Sequence, residues 1–310
     1  MPLWRTPVTP GREGSCVSLR AASVLEREAE SASRTAWAAQ SAIGMPYRSR
    51  AISPTAQQCP LKFPQRAGKT PHVIEGNTRV VRCVLMTDDV AALETFLRRR
   101  LREPLPGADA HWRFAPYPAL DNWSPDLVPE TARRAAALLL IYPGEDGAPT
   151  LPLTVRREDL PHHPGQVSLP GGALDPGETP ESAALREATE EIGIDPHAVR
   201  IAGSLSSLWV IVSNFVVYPF VAVTDSRPSF VPAPGEVAHL LEVPVRDVRD
   251  QSRLHWDSWR RGHVDVHYPF FDLGGPAVWG ATAMMLGEFA CLFDDRHSPP
   301  KRTAKPDEIR

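Results

Sequence analysis

The stretch Gly172-Ala173-Leu174-Asp175-Pro176-Gly177-Glu178-Thr179-Pro180-Glu181-Ser182-Ala183-Ala184-Leu185-Arg186-Glu187-Ala188-Thr189-Glu190-Glu191-Ile192-Gly193-Ile194 decides how the rest of the chain is read. Thr179 is a helix cap and Pro180 suits the first helical position, where a missing N–H costs nothing. Gly193 stands where a left-handed residue would end the helix. The spacing therefore predicts a helix over 180–192. At about 100° per residue, Glu187, Glu190 and Glu191 fall within one stripe of roughly 100°. Ala184, Leu185, Ala188 and Ile192 form a separate apolar stripe that must face a core. Carboxylates crowded at such spacing repel one another and raise each other's pKa. A divalent cation removes that cost, and an all-oxygen ligand set suits Mg²⁺ or Mn²⁺. Mg²⁺ keeps company with phosphates, so a phosphate or diphosphate substrate follows. Arg186, beside the stripe, is placed to orient Glu178 or Glu190 by charge-assisted hydrogen bonds.

A Glu-Glu-x-Gly alone would be an ordinary solvated helix end. Here Gly172, Glu178 and Arg186 also stand at fixed upstream spacings, and an isolated match of that length is rare. At every fixed position the segment resembles the Nudix box, Gly-x5-Glu-x7-Arg-Glu-U-x-Glu-Glu-x-Gly-U, with Ala188 small for its apolar position. The resemblance implies an α/β/α Nudix sandwich around a mixed β-sheet and hydrolysis of a nucleoside diphosphate linked to another moiety. It implies that Glu187, Glu190 and Glu191 are metal ligands, that Arg186 and Glu178 support the loop, and that Glu187 is a candidate general base. In this superfamily the base varies, so Glu236 on a downstream turn is a second candidate, although an exposed turn glutamate is the commoner explanation.

The residues upstream narrow the family further. Leu153-Thr154-Val155-Arg156-Arg157, then Leu160, His163, Gly165-Gln166-Val167-Ser168 and Pro170-Gly171-Gly172 resemble the signature that precedes the box in coenzyme A pyrophosphatases. Tyr218-Pro219-Phe220-Val221, Glu236-Val237 and Trp279-Gly280-Ala281-Thr282-Ala283 fit the same branch. The resemblance spans residues 130 to 293, a little over half the chain. Leu169, Pro161 and Glu178 depart from the branch's usual Phe, basic residue and Asp, and none is a metal ligand. The branch implies a CoA-type nucleotide as substrate, with ADP-ribose or NADH as rivals, and a nucleotide-sensing domain without activity as a rival of another class. The intact box speaks against that last reading. Bottom-up, Arg156 and His163 suit phosphate contacts, against a surface arginine and a loop histidine. Gly171 and Gly172 permit close backbone approach to metal and phosphates. Trp256 and Trp259, with Arg253, Arg260 and Arg261, suit stacking on an adenine, although such residues more often pack and solvate.

Outward from the box, Ala135–Tyr142 reads as a strand buried on both faces and Leu151–Arg156 as a second strand. Strands near 201–209 and 215–224, a short helix over Glu236–Leu241, a strand with Val264, Val266 and Tyr268 on one side, and a last helix Gly280–Phe293 complete a domain over 130–293. Ahead of it, Thr87 caps a helix carrying Val90, Leu93, Phe96, Leu97 and Leu101, stopped by Pro104 and Pro106. Residues 104 to 130 then read as a connection, within a segment 86–129.

The 33 prolines are about twice average usage, and the first 85 residues alternate short apolar patches with Pro, Ser, Arg and Gly without a sustained hydrophobic period. Such a segment does not offset its ordering entropy. It reads as a transit-like extension or, preferred, as sequence ahead of a true start at Met86. The segment carries twelve Arg or Lys against five Glu, a local +7, so the remainder of a chain with net charge −3 stands at −10. An acidic body excludes nonspecific nucleic-acid binding, which runs on phosphate neutralisation by basic surface. Cys16, Cys59, Cys83 and Cys291 show no metal-like spacing and read as free thiols in a reducing compartment, implying a cytoplasmic protein. No apolar stretch approaches a membrane span. The tail 294–310 reads as flexible, and homodimerisation is left open.

Overall fold

A computed structural model of the chain describes residues 89–120, 123–160 and 165–293. Readings that fall on 1–85, Met86, Thr87, Pro161, His163 and the tail 294–310 lie outside the described residues. The first described helix, α1 (Val90–Arg100), is capped by Asp89, whose carboxylate accepts from the Ala91 N–H. Val90, Leu93, Phe96 and Leu97 are its buried face, as the periodicity predicts. The connection after it is more structured than its prolines suggest, because a short helix, α2 (Ala108–Arg113), interrupts it.

The centre of the domain is β1 (Arg133–Pro143), with eight consecutive residues buried from Ala135 to Tyr142. Strand side chains alternate, so one strand feeds two cores. Ala137, Leu139 and Ile141 join the core that contains α1 and the last helix, α5 (Gly280–Cys291). Ala136, Leu138, Leu140 and Tyr142 join a second core with Ala183, Ala184, Ala188 and Ile192 of α3 (Pro180–Ile192). Each fully buried leucine contributes about 1.5–3 kcal/mol. Two helical layers thus enclose one sheet.

That sheet is mixed. β7 (Phe215–Val223) runs parallel to β1 along nine residue pairs, Arg133–Phe215 through Ile141–Val223. β5 (Arg200–Ser204) and β6 (Leu208–Val210) pair antiparallel with β7. On the other side β2 (Pro149–Arg156) meets the end of β1, β3 (Val167–Ser168) meets β2, and β4 (Gly171–Ala173) pairs with the start of β1.

The helix predicted over Glu236–Leu241 is a strand instead: β8 (Val237–Pro244) pairs antiparallel with β2, Leu153 facing Leu241 and Thr154 facing Leu240. The edge of β2 offered unpaired backbone groups, and long-range pairing overrode the local pattern. A short helix, α4 (Val245–Arg249), follows. β9 (Leu254–Arg261), β10 (Val264–Phe271) and β11 (Val278–Trp279) form a second, three-stranded antiparallel sheet. No helix among the described residues is long and apolar enough to cross a membrane.

Candidate active site

Helix α3 forms where its caps demand. Thr179 Oγ1 accepts from Ser182 N–H at 3.2 Å while Thr179 N–H donates to Ser182 Oγ at 3.1 Å, a reciprocal box worth about 1 kcal/mol. At the other end Gly193 takes φ +72° and its N–H donates to Thr189 O. The apolar stripe sits on the sheet and turns the carboxylate face toward β4. Glu191 is only 7% exposed, Glu187 is half-buried, and the Glu190 side chain is 60% exposed.

Gly171 and Gly172 make that approach feasible in a way the sequence did not show. A Cβ on Gly172 would lie 2.5 Å from Glu187 Cδ, and one on Gly171 would lie 2.3 Å from Ala136 O. Both glycines exist so that strand, neighbour and carboxylate can close up. The Gly171 N–H donates to Glu191 Oε2 at 3.1 Å.

Arg186 organises the loop before the helix. Its Nε and Nη2 donate to the two oxygens of Glu178 at 3.0 and 2.9 Å, a bidentate fork. Nη2 also reaches Ala173 O, and Nη1 donates to Glu187 at 2.9 Å and Glu190 at 3.2 Å. Glu178 accepts a further bond from Asp175 N–H. The guanidinium and that N–H hold the Glu178 carboxyl below its usual range. Arg186 thus hydrogen-bonds Glu178 and Glu190, the partners expected from the sequence, and Glu187 as well.

The structure also brings in Glu236 and Arg156. The carbonyls at the end of α3 accept from the loop between β7 and β8, Ile192 O from Val231 N–H and Glu191 O from Ala233 N–H. Glu236 N–H then bonds Ala233 O, and Glu236 O accepts from Arg157 N–H. This chain of backbone bonds carries Glu236 to the carboxylates, where Arg156 Nη1 stands 3.9 Å from it. Burial is the main cause that raises the Glu191 carboxyl to about 7, with the charges of Glu187 and Glu236 adding to it against the pull of the Gly171 N–H and Arg156. Burial likewise raises Glu187, with Glu190 and Glu236 adding to it against the pull of Arg186. Arg156, Gly171, Gly172, Glu187, Glu191 and Glu236 are therefore one neighbourhood, with Glu190 and Glu178 joined to it through Arg186.

Among the described residues no three His, Cys, Asp or Glu side chains already surround a single point. Arg186 explains this, because it draws Glu187 and Glu190 to itself. The donor set nevertheless fits a hard divalent cation: it is all carboxylate, and burial and repulsion disfavour the ionised forms of Glu187 and Glu191.

Trp256 and Trp259 do not form a pair, since residues three apart on β9 point to opposite faces. Trp259 packs instead on Tyr268 and Trp279.

The NUDIX domain profile matches residues 132–263. A Pectobacterium atrosepticum protein named "Uncharacterized Nudix hydrolase NudL" is 36% identical over 178 residues, covering 56% of this chain and 89% of that protein. "Nudix hydrolase 15, mitochondrial" of Arabidopsis thaliana is 32% identical over 177 residues, covering 54% of this chain and 60% of that protein. Among solved structures, the Nudix hydrolase RenU from M. smegmatis matches at 30% identity and TM-score 0.33, over 38% of this chain and 73% of that one. Identity of 36% along 89% of a Nudix hydrolase reflects common descent, and the chain belongs to the Nudix hydrolase family of pyrophosphohydrolases.

Proposed function

We propose that this Nudix hydrolase is a Mg²⁺- or Mn²⁺-dependent diphosphohydrolase of coenzyme A or its thioesters, releasing (acyl-)4′-phosphopantetheine and adenosine 3′,5′-bisphosphate. The observation that carries the proposal is Arg156 at the end of β2, lying against Glu236 and acting on Glu191 across the sheet face. It supplies a fixed cation for a diphosphate beside the carboxylates. The Leu153-to-Gly172 signature supports coenzyme A as the carrier of that diphosphate.

Glu187, Glu190 and Glu191 hold the metal, which when bound neutralises the diphosphate and lowers the cost of attack on phosphorus. Arg186, fastened to Glu178, keeps Glu187 and Glu190 in place. Arg156 binds the diphosphate, with His163 as the second phosphate contact that the sequence signature implies. The missing Cβ atoms of Gly171 and Gly172 let β4 close on β1 and on Glu187, which keeps that carboxylate beside the strand. Glu236 takes the proton of the attacking water, with Glu187 as the alternative base. The water oxygen bonds to one phosphorus as the bridging P–O bond breaks, and the electron pair leaves on the second phosphate.

The test is to incubate the purified chain with Mg²⁺ or Mn²⁺ and coenzyme A, acetyl-CoA, ADP-ribose or NADH, beside a Glu190→Gln control, identifying products by mass spectrometry. Metal-dependent release of adenosine 3′,5′-bisphosphate, lost in the control, is the expected result. Cleavage of ADP-ribose or NADH alone would reject the coenzyme A assignment. No cleavage of any substrate would reject the catalytic reading in favour of nucleotide sensing.

A further inference from the structure

The register of the second sheet decides which side chains share a face. His255 faces Phe270, Asp257 faces Tyr268, Trp259 faces Val266, and Trp279 faces Phe270 from the other side. One face therefore carries His255, Trp259, Tyr268, Phe270 and Trp279, and their rings are in contact. Centroids lie 4.7 Å apart for Trp259–Tyr268, 5.3 Å for Tyr268–Trp279, 5.7 Å for Trp259–Trp279 and 5.6 Å for His255–Phe270. This is no ordinary core: His255 is exposed and the other four are only half-buried. The Trp259 indole Nε1 is enclosed without a hydrogen-bond acceptor, an uncommon state for a buried indole.

The direction of this stripe follows from its neighbours. Val278 is fully buried in the core on the α5 side, which also contains Val167 of β3. Trp279, next in the strand, must turn to the opposite side. β11 packs beside β3, where Ser168 Oγ meets Thr154 Oγ1 of β2. Thr154 and Leu240 face each other across β2 and β8, and Leu240 packs on the α3-side core. The aromatic stripe thus continues the sheet face that carries Arg156 and the carboxylates of α3, beginning beyond β3. Arg261 lies on the same face at the strand's end and is exposed.

We propose that this stripe, centred on Trp259, Tyr268 and Trp279, is the subsite that stacks on the purine ring of the substrate's nucleotide half. The inference rests on the reading that the substrate is a nucleotide-linked diphosphate. A long substrate held at its diphosphate by Arg156 has its two ends on either side of that point, and only a flat, weakly polar ring suits a wall of aromatic faces. Such stacking is strong and tolerant of ring identity. Arg261 supplies a cation for a phosphate carried on the same half.

Calorimetric titration of the full chain with adenosine 3′,5′-bisphosphate, without added metal, tests the proposal. Trp259→Leu and Trp279→Leu are expected to weaken binding about tenfold or more. Trp259→Phe, which keeps a ring, and Trp256→Leu, on the other face, stay within about twofold of wild type by the same stacking logic. For turnover, the two leucine variants raise KM and leave kcat nearly unchanged. Unchanged affinity in both leucine variants with wild-type melting temperatures overturns the proposal while leaving the hydrolase reading intact. If the wild type cleaves ADP-ribose or NADH but not coenzyme A, the same titration with AMP decides. Weakened AMP binding in the leucine variants then supports the stripe although the coenzyme A assignment has failed. Leucine variants that change only the sedimentation coefficient, with affinity intact, also overturn it and mark the face as a contact between copies.

Discussion

Two glutamates are buried on helices that pack against opposite faces of the same sheet, and their surroundings treat them oppositely. Glu288 on α5 is 0% exposed and accepts from His111 Nε2 at 3.0 Å, from Gly107 N–H at 3.0 Å and from Ser206 N–H at 3.1 Å. Burial pushes its carboxyl up, but the bond and charge of His111, with Ser206 and Gly107, outweigh burial and hold it below 4.5. Glu191 on α3 is 7% exposed and receives only the Gly171 N–H, while Glu187 and Glu236 repel it. A buried carboxylate that serves architecture is saturated with donors. Glu191, the ligand in the proposed function, is left short of positive charge, and that shortage is what a cation would fill.

The sharpest way to break this comparison is Glu191→Gln. Removing a ligand from the carboxylate group is expected to lower kcat on the order of 10³-fold, about 4 kcal/mol. Thermal stability should hold or rise, since a charge that burial opposes has gone. A fall in melting temperature with activity retained would make Glu191 an architectural residue like Glu288.

Glu288→Gln should do the reverse. Replacing the buried carboxylate that accepts from His111, Gly107 and Ser206 should cost about 1–3 kcal/mol in urea unfolding, and folded protein should keep a near-normal kcat. The pH dependence follows from the depressed carboxyl. Its stabilisation is present above the unfolded value of 4.5 and is lost as pH falls through the lower folded value. Wild-type stability should therefore drop below about pH 4.5, and the variant should show a shallower drop. An identical acid limb in both proteins would remove Glu288 from the account.

Gly172→Ala probes the closeness of strand and helix. The new Cβ would stand 2.5 Å from Glu187 Cδ, so the carboxylate must move. A misplacement of this size is expected to cost about 10²-fold in kcat, with little change in melting temperature. Unchanged turnover would show that Glu187 tolerates displacement and is not held in place by the glycine.

Much of the site was legible in advance because its information is local. Thr179, Pro180 and Gly193 mark helix ends through their own backbone chemistry, and the spacing of Glu187, Glu190 and Glu191 follows from 3.6 residues per turn. The eight-residue apolar run of β1 announced a strand between two cores. What was misread depends on distant partners. Val237–Pro244 became a strand because β2 lay open beside it. Trp259 acquired Tyr268 and Trp279 as neighbours, and not Trp256, because strand parity and register outrank sequence proximity. The His111–Glu288 pair joins residues 177 apart and left no pattern to find.

By itself, then, the amino-acid order determined the capped helix, its three-carboxylate face and the resemblance to the Nudix box. All of these are set by bonds and spacings within about twenty residues of one another. Only the tertiary structure decided that the loop between β7 and β8 delivers Glu236, that Arg156 lies against it, and that five rings line one face of the second sheet. Those contacts depend on backbone pairing between distant strands, whose register is fixed when two buried faces must both be filled.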